Sequence, residues 1–488
     1  MSHNPSASDA VAITTSNGDE RRIFSLNVLF GIALLGLLVT SIHEFGGFTG
    51  NAKNFYLNGT HAGGNYKLLA AISILFDGKM LSLLSLVFGA GISLLMQKKE
   101  HLLQISTTDA YIRRQIWFII FGVFNAFVLL YSGDLLFSLG VMGILTFVFW
   151  RMKPKNLFLA AIVCTLIYCG KNYWNYSDDK KDHKKYLAVT VVEKKFKEDS
   201  ADRAKKDSID RPKDTVLLKD FLAKSKLSDS LARKNDTLTK KQAEEKGKWE
   251  GIVKSLKYDS SQTKAENKAM REGYLSIWTH LMQRSQNKET YWLYQTGIWD
   301  IGSMIFLGMA LLAIGFFSSR FSSSKYFSIA FITLAIGFAL AWLRLHQNSA
   351  RMVDYAKYVD SHGLPYNQFF PIEKILMATG YASLVMWLLR VRLFNWIWKG
   401  LAAIGQMAFT NYLLQSIICT FFFYGYGFGY FGRLQQWELY FMVTEIALVQ
   451  VVFSVLWLRY YSMGPFEWLL RCLVYRKWFP IKKHQTAS

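Results

Sequence analysis

The sequence predicts an all-α fold, a polytopic membrane bundle of about ten transmembrane helices carrying a Lys-rich extracytoplasmic insert. Two observations predict it. Long apolar segments recur with short basic connections, and they fall into two blocks of five on either side of one Lys/Asp-rich stretch between about Tyr173 and Glu272. The chain of 488 residues is also 51% hydrophobic and 16% aromatic, with 37 Phe, which suits helices facing lipid as well as one another.

The apolar segments run, in order, over Leu26–Phe48, Leu68–Met96, Ile116–Leu130, Leu135–Trp150, Leu157–Cys169, Trp299–Phe317, Phe327–Trp342, Ile375–Leu389, Leu401–Tyr424 and Leu439–Leu458. Several reach the roughly 20 residues needed to cross a ~30 Å hydrocarbon core, and flanking aromatics extend the shorter ones.

Charge gives orientation. Arg21 and Arg22 precede the first span; Lys98, Lys99, Arg113 and Arg114 join the second to the third; Arg151, Lys153 and Lys155 join the fourth to the fifth. Arg320, Lys325, Arg390, Arg392 and Lys399 mark later loops on the same side, and Lys477, Lys482 and Lys483 end the chain. Short Lys/Arg-rich loops stay cytoplasmic, so both termini are expected inside. The net charge of +22 is then mostly topology signal, and no nucleic-acid partner is expected. Membrane lipids are.

These boundaries divide the chain into a disordered cytoplasmic tail (1–20), a five-helix region (21–170), the extracytoplasmic insert (171–272), a second five-helix region (273–478) and a short cytoplasmic tail (479–488). The first span is too long for a cleaved signal peptide and lacks a small-residue cleavage site. Within the insert, Tyr186–Val192 could make a short strand, and Asp214–Leu231 or Lys240–Leu256 surface helices. Its lysines suit an acidic partner or glycan outside the membrane. Cys164, Cys169, Cys419 and Cys472 all lie in or beside apolar segments, as buried small hydrophobes do. Gly89, Gly91, Gly122, Gly140, Gly143 and Gly308 lie within apolar helices, where small residues let backbones approach.

No CxxC, HExxH, Walker or GxSxG motif is present, and no dinucleotide fingerprint in a strand-turn-helix setting. Chemistry is left to polar groups at the membrane edges. His43, Glu44 and His61 lie near the outer end of the first span and in the loop after it, and Asp134 lies in the tight turn Tyr131-Ser132-Gly133-Asp134. A histidine can take a hydroxyl proton and a carboxylate can orient it, so these groups define one candidate cleft; the other reading makes them interfacial residues. Asp77 and Lys79 interrupt an apolar run, where charge is costly and faces protein or water, unless Asp77-Gly78-Lys79 is a helix cap or a broken element. Asn411 and Gln415, four apart on one face, either line a polar cavity or bond across helices, as do Glu445 and Gln450. Glu467 and Arg471 are spaced to pair on a final amphipathic segment.

Three stretches, Phe76 to Gly91, Gly405 to Ser416 and Gly464-Pro465-Phe466-Glu467-Trp468-Leu469-Leu470-Arg471, together resemble the bacterial YeiB-like family, whose C-terminal half carries the DUF418 domain. The resemblance covers Arg22–Trp150 and Gly273–Trp478. It departs at Asn27 and Phe30, where the family pattern has Asp and Arg, at Asn125, where it has His, and at Gln406, where it has Arg. Tyr131-Ser132-Gly133-Asp134-Leu135-Leu136 is retained. The family in turn is similar to membrane acyltransferases, which implies an acyl-CoA donor entering from the cytoplasm and a glycan, lipid or small hydroxyl or amine acceptor outside.

On that reading the expected catalytic groups are His61, His43, Asp134 and Lys79. Glu44, Ser85, Asn411 and Gln415 are the expected substrate contacts, and no metal is expected. A multi-pass transporter of a small solute and a non-enzymatic envelope interaction protein are the competing readings. Oligomeric state is left open by the sequence.

Overall fold

A computed structural model describes residues 17–47, 64–97, 106–209, 238–257, 259–318 and 320–483. The elements, in chain order, are α1 (Asn17–Gly46), α2 (Gly64–Leu75), α3 (Lys79–Gln97), α4 (Thr107–Phe127), α5 (Leu136–Thr146), α6 (Pro154–Ile209), α7 (Lys240–Leu256), α8 (Ser260–Ala269) and α9 (Tyr274–Asn287). After a π-helical stretch, Lys288–Gly297, come α10 (Ile298–Ala313), α11 (Ser323–Val353), α12 (Tyr355–Ser361), α13 (Phe370–Val391), α14 (Asn395–Gln406), α15 (Ala408–Phe423), α16 (Gln436–Tyr460) and α17 (Pro465–Tyr475). Among the described residues there is no strand, only one isolated bridge between Tyr461 and Lys482.

Among the described residues, seven helices or helical stretches are long and apolar enough to cross a membrane: Glu20–Gly46, Tyr66–Gln97, Pro154–Arg203, Tyr274–Ala313, Ser323–Val353, Tyr366–Val391 and Gln436–Tyr460. Leu136–Arg151 and Ala408–Phe423 are shorter apolar helices. This is a helical membrane protein.

Two of the expected spans are broken. The run Leu68–Met96 turns at Phe76-Asp77-Gly78, where Gly78 takes a φ of +71°, a conformation open to glycine because it has no Cβ. Leu401–Tyr424 breaks at Met407, between α14 and α15. Glu467 accounts for that break, because its carboxylate accepts from the Phe409 and Thr410 amides at the start of α15. A helix start leaves such amides without intrahelical partners. Glu467 is thereby turned away from the expected pairing with Arg471, whose guanidinium instead lies 4.4 Å from the Phe479 ring centroid.

The chain divides into two compact units. The first comprises the described parts of Met1–Gly170, Asp259–Gln347 and Tyr366–Ser488. Its densest contact is α3 against α10, where Gly89 and Gly308 face the opposite backbones; a Cβ on Gly308 would lie 1.8 Å from the Leu86 carbonyl oxygen. The packing expected of these two glycines is thus observed. Gly91 has open space around it.

The second unit comprises the described parts of Lys171–Tyr258 together with Asn348–Pro365. Its small core is aromatic: Trp249 stacks on Tyr355 at 5.6 Å and packs against His183 at 4.4 Å, and Tyr176 donates to the His362 carbonyl at 2.6 Å. Lys246 and Glu193 pair at 2.6 Å. Lys240–Leu256 is helical as expected, whereas Tyr186–Val192 lies inside α6 and not in a strand. Residues 171–209 contain no Gly or Pro to interrupt a helix, and their many Lys, Glu, Asp and Ala residues continue it. Asp214–Leu231 and most of the first tail lie outside the described residues.

Candidate functional site

Two polar centres lie within the first unit. One surrounds Phe370. Lys79, at the first position of α3 after the Gly78 turn, pairs with Glu373 at 2.7 Å and donates to the Ser73 carbonyl at 2.7 Å. Arg344 of α11 grips the same carboxylate through Nε at 2.8 Å and a terminal nitrogen at 3.2 Å, and also reaches Ser73. Beside it, Lys374 pairs with Asp300 of α10 at 2.5 Å. The three cations lie 5.6, 4.5 and 4.8 Å from the Phe370 centroid. Lys79 and Glu373 are fully buried, at 0% and 1% exposure, so their charges are held by one another and not by solvent. Three cations against two carboxylates leave a buried excess of one positive charge.

The second centre surrounds Asp134, in the turn between α4 and α5. Its Oδ1 accepts from Asn125 Nδ2 at 2.7 Å and from the Tyr412 hydroxyl of α15 at 3.1 Å; its Oδ2 accepts from the Phe137 amide at 2.9 Å and so caps α5. The Leu135 amide donates back to the Tyr412 hydroxyl at 2.9 Å. Burial pushes the Asp134 carboxyl up to about 6, with the hydrogen bonds from Asn125, Phe137 and Tyr412 pulling the other way. It is poised near neutrality.

The remaining expected groups separate. His61 lies outside the described residues. His43 shares a hydrogen bond between its Nε2 and the Tyr440 hydroxyl, with ring centroids 5.4 Å apart. Glu44 is exposed beside the Asp134 turn, where a Cβ on Gly133 would lie 2.3 Å from its Oε2. Ser85 donates to the Leu81 carbonyl of its own helix at 2.8 Å. Asn411 donates to Ser454 at 2.9 Å, Gln450 to the Asn411 carbonyl at 2.9 Å and Gln415 to Gln450 at 2.9 Å, so this face of α15 bonds to α16. Glu445 is exposed. All four cysteines are free thiols, and Cys419 and Cys472 are buried.

Sequence reasoning missed Glu373, Lys374, Arg344, Asp300 and Tyr412. The four charged residues stand at the ends of predicted spans, where they read as interfacial, and only packing shows that they turn inward. Their signal was present in one respect: Glu373-Lys374 abuts an apolar run without a flanking basic loop.

Residues 311–477 match a family described as a protein of unknown function, DUF418. Over nearly the full length the chain is similar to the uncharacterized protein YxaH of Bacillus subtilis (strain 168), 24% identical over 476 residues that cover 95% of this chain and 96% of that one. It is also similar to the uncharacterized protein YeiB of Escherichia coli (strain K12), 26% identical over 475 residues that cover 94% and 97%. No solved structure matches.

Proposed function

We propose, for a chain that is a YeiB-like DUF418 protein, that it is a membrane acyltransferase. It moves an acyl group from a cytoplasmic acyl-CoA to an extracytoplasmic glycan, lipid or small hydroxyl or amine acceptor. One observation carries this: a buried carboxylate on the Tyr131–Asp134 turn, pushed up to about 6 by burial and hydrogen-bonded by Asn125 and Tyr412. A general base works best with a pKa near the ambient pH. Asp134 Oδ2 accepts one backbone N–H and keeps a second lone pair for a hydroxyl proton.

In the reaction, an acceptor hydroxyl oxygen attacks the thioester carbonyl carbon while Asp134 takes the hydroxyl proton. The new C–O bond replaces the C–S bond, and the proton passes to the departing thiolate. Asn125 and Tyr412 orient the carboxylate and stabilise its charged form. Lys79 and Asn411 do not serve as oxyanion donors in this reading, because both are bonded elsewhere. The protein lies in the bacterial inner membrane with both termini cytoplasmic and the charged insert outside, the orientation favoured by its basic loops.

The test uses full-length protein in nanodiscs, labelled acyl-CoA and envelope extract. Labelled product should form with the wild type and disappear with Asp134→Asn; wild type that transfers nothing overturns the reading. A second reading, a solute transporter, is favoured by the buried ion pairs beside the helix break at Gly78, since charges and broken helices inside a bundle mark substrate and ion paths. Uptake into proteoliposomes that Glu373→Gln abolishes and Asp134→Asn spares would select it.

A further inference from the structure

A cavity of about 410 Å³ opens between α4, α14 and α17, lined by Thr107, Tyr111, Arg114, Gln406, Glu467 and Arg471 among others. Phe409, whose amide donates to Glu467, packs against Phe118 at 5.5 Å, Phe121 at 5.1 Å and Phe466 at 6.1 Å. The volume falls in the range of small-molecule sites.

Its lining carries two arginines, Arg114 and Arg471, against one carboxylate. Glu467 is the acidic side chain in the lining, and its carboxylate is taken by the start of α15: Oε1 accepts from the Phe409 and Thr410 amides, and Oε2 from the Thr410 hydroxyl at 2.5 Å. It forms no ion pair with either arginine among the described residues. The Arg114 Nε is buried without an acceptor among the described residues, and the guanidinium lies 5.3 Å from the Phe118 centroid. Arg471 rests on the Phe479 ring face, which leaves the N–H edge of its planar guanidinium free to turn to an acceptor. Arg113, next to this pair, donates to the Val474 carbonyl at 3.5 Å. Two guanidinium forks thus face a cavity whose carboxylate is already satisfied.

We infer that this cavity is a binding site for a phosphate-bearing anion, held by Arg114 and Arg471. Guanidinium matches phosphate oxygens two at a time, and the Tyr111 and Gln406 side chains add neutral polar groups to the wall. Neither residue takes part in the transfer chemistry assigned to Asp134, so anion binding stands apart from that reading. The anion is either a soluble phosphate ester or anhydride, or the headgroup of an anionic lipid.

The test titrates inorganic pyrophosphate into full-length protein in phosphatidylcholine nanodiscs by calorimetry. A second arm repeats the titration in nanodiscs containing phosphatidylglycerol. The expected result is saturable pyrophosphate binding that Arg114→Gln weakens about tenfold or more, Arg471→Gln weakens severalfold and Arg114→Lys partly preserves. Phosphatidylglycerol that competes with pyrophosphate, with the competition lost in Arg114→Gln, identifies a lipid source and supports the site; lack of competition with binding intact identifies a soluble one. Arg471 is exposed, so its variant reports on binding even if Arg114→Gln fails to fold. Wild type that binds neither probe, or variants that bind as tightly as wild type, overturn the proposal. Pyrophosphate binding without acyl transfer overturns the transferase alone, and transfer without anion binding overturns this site alone.

Discussion

Asn125 Nδ2 donates to Asp134 Oδ1 at 2.7 Å, which joins a buried amide of α4 to the carboxylate in the turn before α5. An amide cannot exchange protons as an imidazole does, so in the proposed transfer the proton is taken by Asp134 itself. Asn125 Oδ1 is buried with no hydrogen-bond partner, and the residue acts toward Asp134 as a donor.

Asp134 makes stability pH-dependent with a defined sign. Its folded pKa, pushed up to about 6, exceeds the ordinary value of 3.8, so the folded state holds this proton more tightly than the unfolded state. That contribution is full below the ordinary value and is lost as pH rises through about 6. Melting temperature followed from pH 4 to 8 should fall over this window in the wild type, and the fall should shrink in Asp134→Asn. Acyl transfer should run the other way, rising through about pH 6 as the base ionises.

Tyr412→Phe removes one donor to Asp134 and the acceptor of the Leu135 amide together. Leaving a buried amide and a buried carboxylate short of a partner costs about 1–3 kcal/mol, which denaturant or thermal unfolding in detergent would read. A melting curve indistinguishable from wild type would show that the tyrosine hydroxyl carries no weight there.

Glu373→Gln strips the shared counter-charge from Lys79 and Arg344. Removing one partner of a buried ion pair typically costs about 3–5 kcal/mol, since the remaining charge is left uncompensated. Glu373→Asp should fall between Gln and wild type. Thermal stability in nanodiscs checks the order.

Gly308→Ala puts a methyl group against the Leu86 carbonyl and should cost about 1–3 kcal/mol through overpacking of α3 on α10. Gly91→Ala, with open space around it, is the matched control and should change stability little.

Trp249→Ala empties the aromatic core of the second unit, where the indole is 3% exposed, and should destabilise that unit by about 3–5 kcal/mol. Limited proteolysis should then cut faster between Lys171 and Tyr258. Unchanged cleavage there would mean that the ring stack contributes little to the order of this unit.

The sequence alone determined that the chain is helical and membrane-embedded, because apolar length and the absence of interrupting charge are properties of a segment by itself. Its glycines at 89 and 308 could be read as packing residues for the same reason. Lys79 was visible as an anomaly, since a charge within an apolar run must find a partner somewhere. Which partner it found was decided only by tertiary structure: Glu373 lies 294 residues further along the chain and shares its carboxylate with Arg344 of another helix, and no local pattern encodes their meeting. Glu467 shows the limit most plainly. Its spacing to Arg471 permits a helical ion pair, yet the start of α15 offers two amides and a hydroxyl in a fixed array, and those fixed donors hold the carboxylate more completely than one flexible guanidinium.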